Sequence, residues 1–85
     1  MTVKFAPAFV RAYKKLPQNL QQEIKERIAL FQSDHNHQFL KTHKLNGPLE
    51  GRLSFSVNYR YQIVFIFSSP EEATLLAVGD HGVYK

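Results

Sequence analysis

Residues 52–67, RLSFSVNYRYQIVFIF, decide the fold because they contain two strand-like segments joined by a short connection. Across residues 53–57, apolar and polar side chains alternate with a period of two, which is typical of a half-buried β-strand. A tight connection is predicted at Asn58 and Tyr59. Residues 60–67 carry apolar side chains on both faces, and we therefore expect this segment to be the central strand of a sheet.

The sequence before this hairpin has the periodicity of a strand followed by two helices. Residues 2–6 have a short strand pattern that runs into Pro7, a residue favoured in the first turn of a helix. Apolar residues then recur at helical spacing, at Phe9, Tyr13 and Leu16. Pro17 ends that helix and begins a second one, whose apolar positions are Leu20, Ile24, Ile28 and Phe31. We expect the two helices to form a hairpin.

The rest of the chain predicts a loop and a further strand. Residues 33–44 are polar and lack a clear period, which indicates a loop with an irregular turn near Phe39 and Leu40. Residues 73–78 have the pattern of a last strand. The order β-α-α-β-β-β predicts an α+β fold, in which a two-helix hairpin packs on one face of a mainly antiparallel four-stranded sheet. We expect residues 1–85 to form a single domain, because a chain of 85 residues has room for only one core.

The two faces of the predicted sheet differ in character. In the strand at residues 60–67, the side chains that share one face would be those of Tyr61, Ile63, Phe65 and Phe67. The opposite face would carry Arg60, Gln62, Val64 and Ile66, joined by Ser54 and Ser56 of the neighbouring strand. Since two short helices can cover only one side of such a sheet, we expect the second face either to bind a ligand or to face water.

The composition restricts the setting in which the protein acts. Eleven Lys and Arg against seven Asp and Glu give a formal charge of +4 and a pI near 9.6, which favours polyanions or acidic proteins as partners. The absence of cysteine excludes disulfides and thiolate metal sites, and the reducing bacterial cytoplasm is the expected location. No apolar stretch approaches the roughly 20 residues of a membrane span or forms a signal peptide, so we expect no membrane partner.

Three side chains near the last two strands could serve chemistry on RNA. Cleavage of RNA without a metal requires a base for the 2′-hydroxyl, stabilisation of a phosphorane and an acid for the 5′-oxygen. Histidine suits proton transfer near neutral pH, arginine binds phosphate oxygens in pairs, and tyrosine can stack on a base or donate to phosphate. Arg60, His81 and Tyr84 would supply this set. Each also has an ordinary interpretation, as a solvated arginine, a turn histidine and a core-packed tyrosine, and only their combination points to catalysis.

Three segments resemble motifs of the RelE/ParE superfamily of bacterial toxins. Residues 58–65, NYRYQIVF, are similar to the central strand of these toxins, which carries a Tyr-Arg pair. Residues 78–84, VGDHGVY, resemble the ending of many members. Residues 41–51, KTHKLNGPLEG, resemble the stretch that precedes the second strand in the RelE, YoeB and YafQ branches. The resemblance covers essentially the whole chain, including the order of its elements.

This resemblance implies roles for individual residues. Arg60 would bind the scissile phosphate, His81 would act as a general acid or base, and Tyr84 would align the substrate or stack on it. His43 lies where the YoeB and YafQ branches carry a histidine near the active site, which makes it a second acid or base candidate. RNA-backbone contacts are expected from Lys41, Lys44 and Arg52. RelE itself relies on lysines and arginines at the histidine positions, so we expect a mechanism closer to the histidine-bearing branches.

The implied protein is the toxin of a type II toxin–antitoxin system. It would be a ribosome-dependent endoribonuclease that cleaves mRNA by acid–base chemistry, without a metal or other cofactor, and so inhibits translation. Its expected partners are the ribosome, mRNA and a cognate antitoxin with an acidic, partly disordered C-terminal segment. DNA would be bound only indirectly, through the antitoxin.

Other functions stay open from the sequence. ParE-type members share the fold and poison DNA gyrase without catalytic residues, and a degenerate toxin would only bind its antitoxin. His35, His37 and His43 could suggest a metal site, but their polar loop lacks the cysteine or convincing carboxylate that would complete a zinc site. Glu50 and Asp80 could assist a histidine, although nothing in their spacing favours this over solvated or structural roles.

Overall fold

The chain forms two helices and five strands over the residues that the computed structural model describes, 1–47 and 51–80. In chain order the elements are β1 (Thr2–Phe5), α1 (Pro7–Lys14), α2 (Gln18–Ser33), a 3-10 turn (Gln38–Leu40), β2 (His43–Lys44), β3 (Leu53–Ser56), β4 (Gln62–Ser69) and β5 (Glu72–Gly79). This arrangement confirms the predicted α+β class. None of the helices in this part of the chain has the length and apolar composition that crossing a membrane requires.

The strands form one sheet in the order β1-β5-β4-β3-β2. Neighbouring strands run antiparallel, except that β1 lies parallel to β5 at one edge. The sequence predicts this mainly antiparallel sheet, whereas β2 adds a fifth strand where a loop was expected. In β2, His43 and Lys44 pair with Ser54 and Leu53 of β3. Two polar residues are too few to show the alternation from which a strand is recognised, so this edge strand depends on its partner.

Both helices pack on the sheet face that carries Phe55 and Phe65. Phe31 of α2 stacks on Phe55, with ring centroids 4.6 Å apart, and meets Phe65 edge-on at 4.8 Å. Aromatic pairs in such geometries stabilise a core beyond the burial of their area. The core cluster includes Phe9, Leu20, Ile24, Phe31, Leu40, Phe55, Val57, Ile63, Phe65, Ala73, Leu75 and Val78. Its helical members therefore occupy the positions that helical spacing predicts.

The turn between β3 and β4 is longer than the sequence predicts. The side-chain carbonyl of Asn58 accepts hydrogen bonds from the backbone N–H groups of Arg60 and Tyr61, at 2.9 and 2.8 Å. An asparagine that binds nearby backbone donors competes with the strand ladder and favours a turn. The predicted strand at residues 60–67 is therefore wrong at its start. β4 begins at Gln62, and Arg60 lies in the turn instead of on the face of the sheet.

The sheet face opposite the helices is covered at its centre. Ser54 of β3 and Val64 of β4 pair directly on this face and are 0% and 3% exposed. The same row continues to His43 in β2 and to Ala77 in β5. The expectation that this face is exposed to water is therefore wrong at these two central positions. Exposure is found at border positions such as His43.

Candidate functional site

The start of β4 and the end of β5 meet at one end of the sheet. Gln62, the first residue of β4, pairs with Gly79, the last residue of β5. The turn that contains Arg60 therefore lies beside the point at which the chain leaves the sheet. His81 and Tyr84 lie outside the described residues, and their approach to Arg60 remains a prediction.

A hydrogen-bonded turn presents Arg60 to solvent. Besides the two bonds to Asn58, the backbone N–H of Val57 donates to the carbonyl oxygen of Tyr61 at 2.9 Å and closes the turn. The Arg60 guanidinium lies 6.0 Å from the centre of the Tyr61 ring, at the limit of a cation–π contact. No carboxylate among residues 1–47 and 51–80 forms a salt bridge with it. The exposure of this guanidinium suits it to bind a phosphate group.

His43 lies at the sheet edge, on the face opposite the helices. It sits directly across from Ser54, and its ring nitrogen Nδ1 is 3.1 Å from the carbonyl oxygen of Lys41. A tautomer that donates from Nδ1 to this carbonyl has Nε2 as its basic nitrogen. Ser54 Oγ donates to Gln62 Oε1 at 3.0 Å, across to the strand that follows Arg60. Because β3 lies between β2 and β4, His43 is two strand spacings, about 10 Å, from β4. The polar side chains of Ser54 and Gln62 lie between His43 and the Arg60 turn.

The three basic residues expected to contact RNA lie near the β2 edge but not on one face. Lys44 and Arg52 line the same cleft. Because successive side chains of a strand point to opposite faces, Lys44 points away from the face that carries His43. Lys41 follows the 3-10 turn with a left-handed backbone, at φ 50°, and is exposed. The structure thus places two of the three residues, Lys44 and Arg52, at one cleft beside the β2 edge.

The other histidines of the polar loop lie apart from His43. The ring of His35 meets Phe67 edge-on at 5.7 Å, near the far end of β4. Nδ1 of His37 accepts a hydrogen bond from the backbone N–H of Phe39 at 3.1 Å and caps the 3-10 turn. Within the part of the chain that the structure describes, no group of three or more His, Asp or Glu side chains is placed to hold a metal ion. A metal site formed jointly by these histidines is therefore not found.

Two neighbours of Arg60, Asn58 and Tyr59, are not among the site residues that the sequence predicts. Tyr59, at the tip of the turn, is 94% exposed, an unusual position for a large aromatic side chain. Asn58 joins the turn to α2, because its Nδ2 donates to Glu23 Oε2 at 2.7 Å. An aromatic residue in a predicted turn is a signal that could have pointed to Tyr59. No local signal links Asn58 to Glu23, since 35 positions separate them.

Bacterial toxins of known structure share this fold. The sequence matches no protein-family model and no curated protein. A YoeB/ParE toxin from Agrobacterium tumefaciens is 15% identical and has a TM-score of 0.76, with 95% of this chain and 99% of that chain covered. YafQ from E. coli is 12% identical and has a TM-score of 0.78, with 94% and 92% of the two chains covered.

A third solved structure extends the likeness to another branch. The toxin–antitoxin complex RelBE2 from Mycobacterium tuberculosis has a chain that is 20% identical, with a TM-score of 0.77 and 94% and 96% of the two chains covered. At these identities the likeness concerns the fold, but it extends over nearly the full length of every chain. The protein therefore has the fold of the YoeB/ParE and YafQ toxins and of a chain of the RelBE2 toxin–antitoxin complex.

Proposed function

We propose that the protein is the toxin of a type II toxin–antitoxin system and acts on mRNA as a ribosome-dependent endoribonuclease. The observation that carries the proposal is the pairing of Gln62 with Gly79, which brings the Arg60 turn to the end of β5. The sequence continues from Gly79 with Asp80 and His81, so an acid or base candidate follows shortly after the point where an exposed arginine is presented. The toxin fold supports the same assignment.

In the proposed reaction, the 2′-hydroxyl of a messenger nucleotide attacks the adjacent phosphorus atom. One histidine, His43 or His81, accepts the hydroxyl proton, and a general acid donates a proton to the departing 5′-oxygen. Arg60 holds two non-bridging oxygens and stabilises the phosphorane as its charge develops. Tyr84 aligns the substrate or stacks on a base. The products are a 2′,3′-cyclic phosphate and a 5′-hydroxyl, and no metal or other cofactor takes part.

The basic residues near the β2 edge are proposed to bind the RNA backbone. Lys41, Lys44 and Arg52 are exposed there, and the net charge of +4 adds a general attraction for RNA. Contacts from lysine and arginine to phosphate groups position a nucleic acid without reading its bases. The proposed RNA-binding surface therefore extends from this edge towards the Arg60 turn.

A cognate antitoxin is proposed to hold the protein inactive. The RelBE2 structure, which has the same fold, is a toxin–antitoxin complex. In this chain an apolar groove of about 380 Å³ is lined by residues of β1, α1 and α2, among them Phe9, Tyr13 and Ile28, together with Lys14 and Lys25. An acidic antitoxin segment that is disordered until it binds would match both the apolar lining and the lysines. DNA would be bound only through the antitoxin, and the complex would lie in the bacterial cytoplasm.

Induced expression, combined with mapping of new RNA 5′ ends in the cell, tests the proposal. The wild-type protein is expected to arrest growth and to produce cleavage sites within translated messages, and Arg60→Ala, His81→Ala and Tyr84→Ala are expected to remove both effects. Growth arrest without new cleavage sites, accompanied by changed DNA supercoiling, would indicate a gyrase inhibitor instead. Normal growth with retained antitoxin binding would indicate a degenerate toxin. Three fully toxic variants would show that the site assignment is wrong.

A further inference from the structure

A single side chain connects the Arg60 turn to helix α2. Asn58 Oδ1 accepts hydrogen bonds from the backbone N–H groups of Arg60 and Tyr61, at 2.9 and 2.8 Å. Its Nδ2 donates to Glu23 Oε2 at 2.7 Å, a length typical of a charge-assisted hydrogen bond. Ser56 Oγ donates to the backbone carbonyl oxygen of Asn58 at 2.8 Å. Hydrogen bonds therefore hold both the side chain and the backbone of Asn58.

Glu23 determines which way the Asn58 amide faces. An ionised carboxylate only accepts hydrogen bonds, so it selects the NH2 group of the amide and leaves the amide oxygen for the turn. Rotation of the amide by half a turn would direct its NH2 group at two backbone donors, and neither hydrogen bond of the turn could form. Ile24, the neighbour of Glu23, is fully buried in the core. The carboxylate is thus attached to a part of the helix that core packing holds in place.

We propose that Asn58 and Glu23 are positioning residues for Arg60. This inference rests on the proposed function, in which Arg60 binds the scissile phosphate. The two residues act through the backbone of the turn, because they hold the peptide groups from which the guanidinium extends. Preorganised geometry of this kind matters for rate, since a displacement of about 1 Å can lower catalysis about 100-fold. Asparagine suits the position because one amide supplies both the acceptor that the turn needs and the donor that Glu23 needs.

An exchange of functional groups between the two residues tests the link. In Asn58→Asp the side-chain oxygens can still accept from the turn, but the new carboxylate faces that of Glu23 and is repelled by it. The additional change Glu23→Gln restores a donor, because the glutamine NH2 group can donate to the aspartate. We expect Asn58→Asp to lower the maximal rate of ribosome-dependent cleavage about tenfold or more, with little change in the ribosome concentration that gives half-maximal rate. The double variant should recover most of the loss.

Glu26→Gln is the matched control, because Glu26 is another exposed carboxylate of α2. This change should leave the cleavage rate unaltered and should not rescue Asn58→Asp. Amide hydrogen exchange at Arg60 and Tyr61 provides a second readout, which does not depend on cleavage. Exchange at both amides should be faster in Asn58→Asp, return towards the wild-type rate in the double variant, and stay unchanged in Glu26→Gln.

The outcomes separate this inference from the proposed function. Wild-type cleavage rates in Asn58→Asp, alongside an inactive Arg60→Ala protein, would overturn the positioning role and leave the proposed function intact. A wild-type protein that cleaves no message would reject the proposed function. Amide exchange at Arg60 and Tyr61 would then test the link between α2 and the turn. Unchanged exchange in Asn58→Asp would overturn the link. Faster exchange in Asn58→Asp that returns towards the wild-type rate in the double variant would support it.

Discussion

Arg60 and His35 lie at opposite ends of β4. Arg60 precedes the first residue of the strand, Gln62, whereas the ring of His35 meets Phe67 edge-on at 5.7 Å. Gln62 and Phe67 are separated by five positions, or about 17 Å of extended strand. Substitutions at the Arg60 end are therefore expected to affect cleavage, and substitutions at the His35 end are expected to affect packing. This separation provides matched pairs of variants.

Arg60→Ala is expected to abolish most mRNA cleavage and to leave the fold intact. The backbone of Arg60, and not its guanidinium, makes the hydrogen bond of the turn. Loss of a preorganised phosphate contact should lower the cleavage rate in a cell-free translation assay about 100- to 1000-fold. Arg60→Lys should recover only part of the rate, because an ammonium group cannot bind two phosphate oxygens as a planar fork. An equal loss in Arg11→Ala, an exposed arginine of α1, would contradict a specific role.

His43→Gln is expected to reduce cleavage while preserving the edge strand. Glutamine can form hydrogen bonds but cannot exchange a proton near neutral pH, so loss of acid or base catalysis should lower the rate about 100- to 10,000-fold. The limb of the pH–rate profile that reports this imidazole should also disappear. His35→Gln, at the far end of β4, should keep both the rate and the profile. Full activity of His43→Gln would leave His81 as the acid or base candidate.

The paired substitution Lys44→Ala and Arg52→Ala is expected to weaken RNA binding mainly at low salt. Each lost phosphate contact should reduce the slope of log affinity against log salt by about 0.7 for a single-stranded RNA. Both residues line one cleft, and the loss of two contacts should lower the slope by about 1.4. Fluorescence anisotropy with a labelled single-stranded RNA measures this slope. Lys25→Ala, an exposed lysine of α2, should leave the slope unchanged, and an equal effect there would indicate non-specific attraction.

Phe31→Ala is expected to destabilise the fold severely. Its ring is fully buried against Phe55 and Phe65, and removal should lower the free energy of unfolding by about 3–5 kcal/mol. That loss is a large share of the roughly 5–15 kcal/mol that stabilises a typical domain. Urea unfolding followed by circular dichroism measures it. Phe39→Ala, at a ring that is 61% exposed, should change the same free energy by about 0.5 kcal/mol or less. Similar losses in both variants would contradict the packing.

Glu72→Gln is expected to remove part of the pH dependence of stability. A hydrogen bond from Ser68 Oγ, 2.7 Å from Glu72 Oε1, lowers the pKa of Glu72, and Lys4 Nζ, 3.5 Å from Oε2, lowers it further. Because the folded-state pKa lies below the unfolded one, the carboxylate stabilises the fold above its unfolded pKa. This contribution is lost as the pH falls through the folded-state pKa. The melting temperature of Glu72→Gln should therefore be lower than that of the wild type at pH 7, and the two should converge in acid.

Glu71→Gln is the control for this pH series, because Glu71 is an adjacent, exposed carboxylate. Its melting temperature should follow that of the wild type at every pH. A difference between Glu72→Gln and the wild type that widens in acid would contradict the sign of the pKa shift.

The helices, the long strands and the core-facing residues could be predicted from the sequence. Burial of one side of a helix or strand imposes a period on the apolar residues, and Leu20, Ile24 and Phe31 show the helical one. The resemblance of short motifs to those of known toxins also indicated Arg60 and His43 as site candidates. Local periodicity therefore predicts which segments form helices and strands, and short motifs predict which residues belong to the candidate site.

The sequence by itself thus determined which elements form and which side chains they bury. Only the tertiary structure decided that Arg60 lies in a turn held from α2, that β1 runs parallel to β5, and that His43 lies across from Ser54. The physical reason is that strand register and side-chain hydrogen bonds join partners from distant parts of the chain. Neither segment carries a periodic pattern that identifies its partner, and these pairings form only when the elements pack together.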